Sequence, residues 1–508
     1  MSATLEDPVV APPPDLGRRM ASGALWMVAL RLAQRAIGLV STIILARLLV
    51  PEDFGLVALA TTFAAILEVA GDLGVDTVLI CDRRAGRREY DTAFTLQVLR
   101  GLLIAAVLLA VAPWMADWFA DARLEPLLWW VAAGSLVQGF WNIGIVDFRR
   151  DLEIAREFTF HFWGKFGSFL VAVGLAFLWR SYHALIVAIL ARRVILLVLS
   201  YLMSPYRPRF TLASAARMLD VSKWLVVQNA LYFLRDRIDA LLIGKLMGAE
   251  ALGLYDLALE VASLPTTEVA GPVSRAVFPG YARIAHDPER LRRGYTDSVS
   301  VMLLVTLPAS VGIALFADPL VQLFLGAQWQ PAVPLIQALV VFGVVRSLYT
   351  TAASVYLALG RVRIEPALVL LFIAVLVPAL VLLTGPFGVL GAALALTAAT
   401  AVGLVANLLV LRQLVGLRLV DLLRPLRRGI LATVAMVVLL VGLPLEHLGP
   451  AAAIACGVPA GAVTFLAVLT VAFFAAGCPD GPERRILAYL AGFAPLARPL
   501  ARFSQESR

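Results

Sequence analysis

The sequence predicts an all-α integral membrane protein of about fourteen transmembrane helices, with two six-helix lobes related by a parallel internal repeat and an additional C-terminal helix pair. Three observations lead to this prediction: the composition, an internal repeat and the spacing of apolar segments. Hydrophobic residues make up 61% of the chain and charged residues 15%, against about 25% charged in soluble domains. A soluble core cannot absorb that much apolar surface, so the composition indicates a membrane protein.

The internal repeat is visible in two segments that lie between long apolar stretches. The chain reads ARLLVPEDFGL over 46–56 and GKLMGAEALGL over 244–254, an offset of 198 residues. The matched positions are Arg47 and Lys245, Glu52 and Glu250, and Gly55 and Gly253. Two like-built bundles in one chain are typical of carriers with a central cavity. Transport is therefore the first functional hypothesis.

Apolar segments of roughly 20 residues, the length that crosses a bilayer, recur along the whole chain. The N-terminal lobe, 23–203, contains the predicted spans 23–46, 56–80, 93–115, 126–146, 158–178 and 183–203. The C-terminal lobe, 219–411, contains 219–243, 252–278, 299–316, 332–356, 366–384 and 389–411. The additional pair, 430–476, consists of 430–445 and 451–476. The rest is a disordered cytoplasmic tail (1–22), a cytoplasmic linker (204–218), a cytoplasmic loop (412–429) and a cytoplasmic tail (477–508).

The distribution of arginine predicts the orientation of these spans. Alternate hinges are rich in arginine, as at Arg149, Arg150 and Arg156, and cytoplasmic loops of membrane proteins show this excess. An even number of spans then places both termini in the cytoplasm. The net charge of +8 is explained by this topology and by anionic lipid headgroups, so nucleic acid is not an expected partner.

Ionisable residues inside the N-terminal spans are the first candidate site. Arg31 and Arg35 lie one helical turn apart on the first span, and Glu68, Asp72 and Asp76 recur every four residues on the second. A charge at mid-membrane is costly and usually faces a wet cavity. Two interpretations stay open: structural ion pairs between these arginines and carboxylates, or contact with a substrate or ion.

The C-terminal lobe is acidic in the segment that corresponds to the basic part of the first span. At the offset of 198 residues, the segment around Arg31 and Arg35 corresponds to one that contains Asp236 and Asp239, and Arg235 restores positive charge beside them. Lys165 and Arg346 are further intramembrane cations. Cations collected at similar depth favour an anionic passenger, and phosphate is the natural candidate because guanidinium binds it through two hydrogen bonds.

Pro265 and Pro272 interrupt the eighth predicted span. Each proline removes a backbone donor and favours a kink, so a bent helix there could act as a gate. Proline is also tolerated in membrane helices without any moving part, and both interpretations stay open.

The segment ARLLVPEDFGLVALA and the GDLGVDTVLI ending of the second span resemble the polysaccharide-transporter branch of the multidrug/oligosaccharidyl-lipid/polysaccharide superfamily. The similarity is greatest to Wzx-type lipopolysaccharide and exopolysaccharide flippases, and it extends from residue 23 to 476 in segment number and lobe division. The resemblance implies a bacterial inner-membrane carrier that moves undecaprenyl-pyrophosphate-linked oligosaccharides to the periplasmic leaflet by alternating access, with a cationic central cavity.

The resemblance also implies roles for the candidate residues. Arg31, Arg35 and Arg235 would attract the pyrophosphate, and Lys165 and Arg346 would help to line the sugar path. A coupling cation, Na⁺ or H⁺, would bind at Glu68, Asp72 or Asp239, and no other cofactor is expected. The implied partners are the lipid-linked oligosaccharide, membrane lipids, and a polymerase with chain-length machinery, with the carrier itself a monomer.

Two alternatives remain at this stage. A multidrug exporter of the same superfamily would use Asp256 and Glu260 to bind small organic cations, although the arginines of the first lobe argue against it. A membrane-embedded polysaccharide polymerase or ligase would need catalytic groups in a sizeable outward loop. The predicted outward hinges are short, so the chain is not expected to be an enzyme.

Overall fold

The computed structural model describes residues 16–72, 74–81 and 85–477, and that part of the chain is almost entirely helical. Contacts divide the chain into two compact units: one contains residues up to Leu49 together with Ala60–Ala230, and the other contains Val50–Leu59 and everything from Leu231 onward. Most of the two predicted tails, 1–15 and 478–508, lies outside the described residues. The last part of the predicted N-terminal tail belongs to the first helix, which begins at Leu16.

The first unit is built from long apolar helices joined by short turns. Its helices are α1 Leu16–Leu48, α2 Pro51–Ala70, α3 Val75–Cys81, α4 Arg87–Phe119, α5 Leu124–Gly139, α6 Asp147–Arg150, α7 Ile154–Trp179 and α8 His183–Met203, although Pro51–Leu59 of α2 groups with the second unit. Helix α4 packs on α5, α7 packs on both α8 and α1, and α5 also packs on α8. The predicted span 183–203 matches α8 residue for residue.

The chain that follows α8 is bound to the start of α4. The hydroxyl of Tyr206 donates to Asp91 Oδ1 at 2.6 Å, and the backbone N–H of Arg209 donates to the same oxygen at 2.7 Å. The N–H of Thr211 donates to the hydroxyl of Thr95 at 2.9 Å. Burial, and then the bond to Asp91, raise the pKa of the Tyr206 phenol. Much of the predicted linker is therefore fixed to the first unit.

The second unit contains the longer helices. They are α9 Ala215–Ile284, of which the part from Leu231 belongs here, α10 Pro288–Leu315, α11 Ala317–Leu320, α12 Val333–Ser347, α13 Ala352–Ala358, α14 Ile364–Val415, α15 Leu419–Gly442 and α16 Pro450–Ala475. Helix α10 begins where the sequence favours it: the carboxylate of Asp287 accepts from the N–H groups of Glu289 and Arg290 at 3.0 and 3.1 Å, and Pro288 takes the first position.

Two glycines break the longest helices. Gly248 in α9 has φ 85° and Gly388 in α14 has φ 59°, a region that glycine enters without steric cost. Both fall at hinges that the sequence predicts between successive spans. Pro265 and Pro272 both lie inside the part of α9 that follows Gly248, and their role as a gate stays a prediction.

Ten helices of the described residues are long and apolar enough to cross a membrane. The all-α membrane architecture is therefore confirmed, whereas the count of fourteen spans stays a prediction. The two counts differ partly because α14, with 52 residues, is counted once. At 1.5 Å per residue its length is about 78 Å, well over twice the roughly 30 Å hydrocarbon thickness of a bilayer.

Gly55 and Gly253 pack against each other inside the second unit, and the offset of 198 residues relates them. A Cβ atom built on Gly55 would overlap the carbonyl oxygen of Ala249, and one built on Gly253 would overlap that of Pro51. The offset of 198 residues relates both Pro51 to Ala249 and Gly55 to Gly253, so the contact is reciprocal. Small residues allow membrane helices to approach this closely.

We expect Gly55→Ala and Gly253→Ala each to lower the free energy of unfolding by about 1–3 kcal/mol, because the new methyl group forces two backbones apart. The double variant should cost less than the sum, since both methyl groups block the same approach. Thermal unfolding of the purified protein in detergent measures this. Gly312→Ala is the control, because a Cβ atom there meets nothing within 4 Å. Strictly additive losses would contradict a shared contact.

Candidate functional site

A cavity of about 600 Å³ lies inside the second unit and is lined by charged side chains. Its walls come from α9, α12 and α14, and its size falls within the range of small-molecule sites. The lining contains three arginines and five carboxylates: Arg235, Arg237, Arg346, Asp236, Asp239, Asp256, Glu260 and Glu365. Because these groups project from helices that are otherwise apolar, the cavity is the main polar feature of this unit.

Asp236 holds two of the arginines that the sequence singled out. Arg235 donates to both carboxylate oxygens of Asp236, at 2.9 and 3.3 Å, and lies 3.8 Å from Glu365. Arg346 on α12 lies 3.7 Å from the same Asp236. The two guanidinium groups also lie over aromatic rings, Arg235 over Tyr232 at 5.3 Å and Arg346 over Phe342. The structure therefore brings Arg235 and Arg346 together.

The break at Gly248 brings together side chains from the two parts of α9 at the wall of the cavity. It turns α9 back on itself, so that the hydroxyl of Tyr255 donates to Asp239 Oδ2 at 2.8 Å. Asp239 is buried, with only 5% of its surface exposed. Arg237 and Asp256 meet across the same turn at 3.5 Å. Asp239, a candidate ion site, thus shares the cavity with Arg235 and Arg346.

The lining of this cavity contains more carboxylates than guanidinium groups. The resemblance implies a cationic central cavity, whereas five carboxylates and three guanidinium groups line this one, which lies inside the second unit. Asp236, Asp256 and Glu365 each face a guanidinium group, and the formal excess of two carboxylates remains. The cavity combines held cations with held anions and is not a simple anion funnel.

The first unit has its own polar network at Glu68. The carboxylate of Glu68 accepts from Arg193 at 2.8 Å and from the hydroxyl of Ser135 at 2.9 Å, and Arg193 also donates to Ser135 at 3.0 Å. Asp72 lies 3.5 Å from Arg100, beside a cavity of about 340 Å³. The partners found for these two acids, Arg193 and Arg100, differ from the pairing with Arg31 and Arg35 that the sequence suggested.

The remaining candidates also lie in the first unit. Arg31 and Arg35 are half-buried on α1, and Lys165 is half-buried on α7, the helix that α1 packs against. They therefore occupy neighbouring helices, and their role stays a prediction.

Sequence reasoning missed Glu365, which approaches Arg235, and gave Arg237 too little weight. Glu365 stands in the first turn of α14, where an acid is ordinarily assigned to helix capping. Arg237 lies about half a turn around the helix from Arg235, and sequence reasoning assigned it no role. The hinge between the predicted spans 219–243 and 252–278 was the signal that could have identified it, because the reversal there places Asp256 beside Arg237.

The chain matches the model of the polysaccharide biosynthesis protein family over residues 44–334. Among curated proteins it is similar to the lipopolysaccharide biosynthesis protein WzxC of Escherichia coli (strain K12), with 25% identity over 355 residues, 69% of this chain and 72% of that protein.

Solved structures show the same fold. The lipid II flippase MurJ in an inward closed conformation matches with a TM-score of 0.71 and 15% identity, covering 89% of this chain and 99% of that chain. A multidrug resistance MATE family transporter of the MOP superfamily, in an inward-facing conformation, matches with a TM-score of 0.61 and 16% identity over 75% of this chain and 94% of its own.

Glu68→Gln should destabilise the first unit, because it leaves the charge of Arg193 uncompensated among apolar helices. Removing one partner of a buried pair costs about 3–5 kcal/mol, and these side chains are only 22% and 15% exposed. The double variant Glu68→Met with Arg193→Met should recover most of that loss in thermal unfolding.

Glu153→Gln is the matched control, because its partner Arg156 and Glu153 itself are both exposed. Transport by the stable double variant then separates the two interpretations of Glu68. Normal transport means a structural pair, whereas lost transport at normal stability means a role in ion or substrate binding.

Proposed function

Because the chain belongs to the polysaccharide biosynthesis protein family, we propose that it is a flippase that carries undecaprenyl-pyrophosphate-linked oligosaccharides across the bacterial inner membrane by alternating access. It is a transporter and not an enzyme. The observation that supports this most directly is the pair of arginines, Arg235 and Arg346, held by one carboxylate at the wall of the large cavity of the second unit.

The geometry of the pair suits a pyrophosphate. A guanidinium group has five N–H donors, and Asp236 occupies only part of those of Arg235 and Arg346. The remaining donors are available for phosphate oxygens, which guanidinium binds bidentately. Arg346 is 45% exposed and lies at the longer distance of 3.7 Å from Asp236, so exchanging that partner for a phosphate costs little. In this proposal Arg346 is the mobile contact and Arg235 the fixed one.

Small organic cations are the second candidate, favoured by the five carboxylates of the same cavity. Three of these carboxylates already face an arginine, and Asp239 accepts a hydrogen bond from Tyr255. Their charge therefore serves to hold the arginines in place, and an incoming cation would have to compete with guanidinium groups. This argument favours the anionic lipid-linked substrate over a drug-like cation.

Coupling to Na⁺ or H⁺ is part of the same proposal. Asp239 is buried at the wall of the cavity, where it accepts hydrogen bonds from the hydroxyl of Tyr255 and from a backbone N–H, both at 2.8 Å. Electrostatic interactions are strong in such a buried site, so the binding or loss of a cation there would strongly change the energy of Asp239. Glu68 and Asp72 are the corresponding candidates in the first unit. The prolines Pro265 and Pro272 remain the proposed gate, one on each side of residues 266–271 in α9.

We infer the orientation of the carrier, its oligomeric state and its partners from the sequence. Both termini are proposed to be cytoplasmic because arginines concentrate at alternate hinges. The chain would act as a monomer and deliver its substrate to a polymerase with chain-length machinery on the far side. In the first unit, Arg31 and Arg35 would receive the pyrophosphate, and Lys165 would lie along the path of the sugars.

We expect Arg346→Gln to slow translocation about tenfold or more, since a hydrogen bond to a charged group is worth about 1.5–3 kcal/mol. Arg346→Lys should be intermediate, because it keeps the charge but loses bidentate binding. The measurement is the amount of lipid-linked oligosaccharide stranded on the cytoplasmic face of a deletion strain that expresses each variant. Arg293→Gln, at a 71% exposed position, is the control. Wild-type turnover in Arg346→Gln would remove this residue from the site.

The arginines of α1 form a separate test. The double variant Arg31→Ala with Arg35→Ala should abolish surface-polysaccharide assembly while the protein stays in the membrane at its normal level. The reason is that two cations at one depth attract a pyrophosphate together. Polymer output and membrane protein level are measured in the same strain, and normal output would exclude an essential role for these arginines.

A further inference from the structure

One end of the second unit exposes a group of arginines. The end of α9, the start of α10, the loop between α13 and α14, the end of α14 and the start of α15 meet there around one buried apolar cluster, which includes Tyr281, Leu291, Leu411 and Leu422. Seven arginines of these segments are exposed and make no ion pair with any of the described residues: Arg283, Arg361, Arg363, Arg412, Arg418, Arg424 and Arg427. We call these seven residues the basic end.

Nearby carboxylates do not neutralise the basic end. Three acids at the starts of α10 and α15 pair with three other arginines: Asp287 with Arg290 at 3.2 Å, Asp421 with Arg292 at 3.3 Å, and Glu289 with Arg293. These contacts leave the positive charge of the basic end for another partner. Charge complementarity therefore favours an anionic one.

Helix α15 shows at which depth of the membrane the basic end lies. Exposed side chains recur along it every three or four residues and form one stripe: Val420, Arg424, Arg427, Leu431, Val434, Val438 and Val441. Its last four members are 52–70% exposed and apolar, as expected where a membrane span faces acyl chains. At 1.5 Å per residue, about 21 Å of helix separates Val441 from Arg427 and about 26 Å separates it from Arg424. Since the hydrocarbon is roughly 30 Å thick, both arginines lie near its edge, beside the headgroup phosphates.

Exposed apolar side chains are interspersed among these arginines. Val362 is 58% exposed, Val420 is 62% exposed, and Leu419 and Leu423 are 48% and 44% exposed. In water each of these side chains would leave apolar surface unburied. At the boundary of a bilayer they contact the first methylene groups, while the long arginine side chains extend to the phosphates. The mixture of apolar and basic groups therefore favours a lipid surface over an acidic protein.

We propose that the basic end binds the phosphate groups of anionic phospholipids, with Arg424 and Arg427 as its principal contacts. A guanidinium group binds phosphate oxygens through two parallel hydrogen bonds, and arginines beside an anionic leaflet add to the attraction. A choline headgroup brings its own cation, which repels the arginines, whereas a glycerol headgroup does not. Orientation alone requires arginines near the ends of spans, but not on a stripe that faces lipid. This inference does not depend on what the carrier transports.

The test measures the binding of two short-chain lipids to the purified full-length protein in a maltoside detergent by native mass spectrometry. Dioctanoylphosphatidylglycerol and dioctanoylphosphatidylcholine are titrated into wild type and into the double variant Arg424→Gln with Arg427→Gln. We expect wild type to prefer the phosphatidylglycerol. The double variant should bind that lipid about tenfold or more weakly, with little change for the phosphatidylcholine. Its unfolding temperature in detergent alone should stay that of wild type, because both positions are exposed.

Two further double variants control for charge. Arg424→Lys with Arg427→Lys keeps both charges and should stay within about threefold of wild type. Arg88→Gln with Arg156→Gln removes the same charge from two exposed positions of the first unit and should leave the binding of phosphatidylglycerol unchanged. A salt titration of wild type needs no variant: raising the ionic strength from about 0.1 to about 0.5 M should weaken the binding of phosphatidylglycerol, because salt screens exposed charges.

Three results would overturn the proposal. Equal affinity of wild type for the two lipids, or binding of phosphatidylglycerol that does not respond to salt, would mean that the basic end serves orientation or an acidic protein. Equal loss in the two glutamine variants would mean that the total charge of the protein, and not this surface, attracts the lipid. None of these results bears on the flippase function, because no step of the test involves transport.

Discussion

The structure depends on one constraint: a charge placed inside an apolar helix must find a partner there. An uncompensated charge at mid-membrane costs about 3 kcal/mol on insertion scales. The helices meet this constraint by pairing across their contacts, as Glu68 of α2 does with Arg193 of α8, and as Asp236 of α9 does with Arg346 of α12. The pair of Glu68 and Arg193 fixes the rotation of two helices relative to each other, because a turned helix would leave both charges without this partner.

The same pairs explain why structural and functional interpretations of these residues are not exclusive. A lone arginine in a large cavity would adopt many rotamers, and ordering it on binding would cost entropy. Asp236 removes that cost for Arg235 by holding two of its N–H groups. The carboxylates of the cavity thus act on the substrate indirectly: they position the guanidinium groups and reduce the net charge that the apolar surroundings have to accommodate.

Hydropathy was sufficient to predict the helices, and for α8 it predicted both ends, because burial in lipid requires a run of apolar residues that is visible in any sequence. The breaks at Gly248 and Gly388 were predicted as hinges for a related reason: polar or small residues interrupt the run there. The partners of the charges could not be predicted. Whether Glu68 meets Arg31 or Arg193 depends on the rotation and packing of helices, which hydropathy does not report.

The contact between Gly55 and Gly253 shows that backbone packing and charge pairing constrain the sequence differently. Sequence similarity between the two segments was weak, yet the positions that match include the two glycines whose backbones touch. The contact is reciprocal, with Gly55 on Ala249 and Gly253 on Pro51, and the 198-residue offset relates these positions. The charged positions of the repeat have diverged, with arginines on α1 and carboxylates at the corresponding part of α9. Backbone proximity at this contact leaves no room for a Cβ atom and so requires glycine in both segments, whereas a cavity wall accommodates any charge that finds a partner. Close packing therefore accounts for the glycines that the two segments share, and charge pairing allows the neighbouring charged positions to differ.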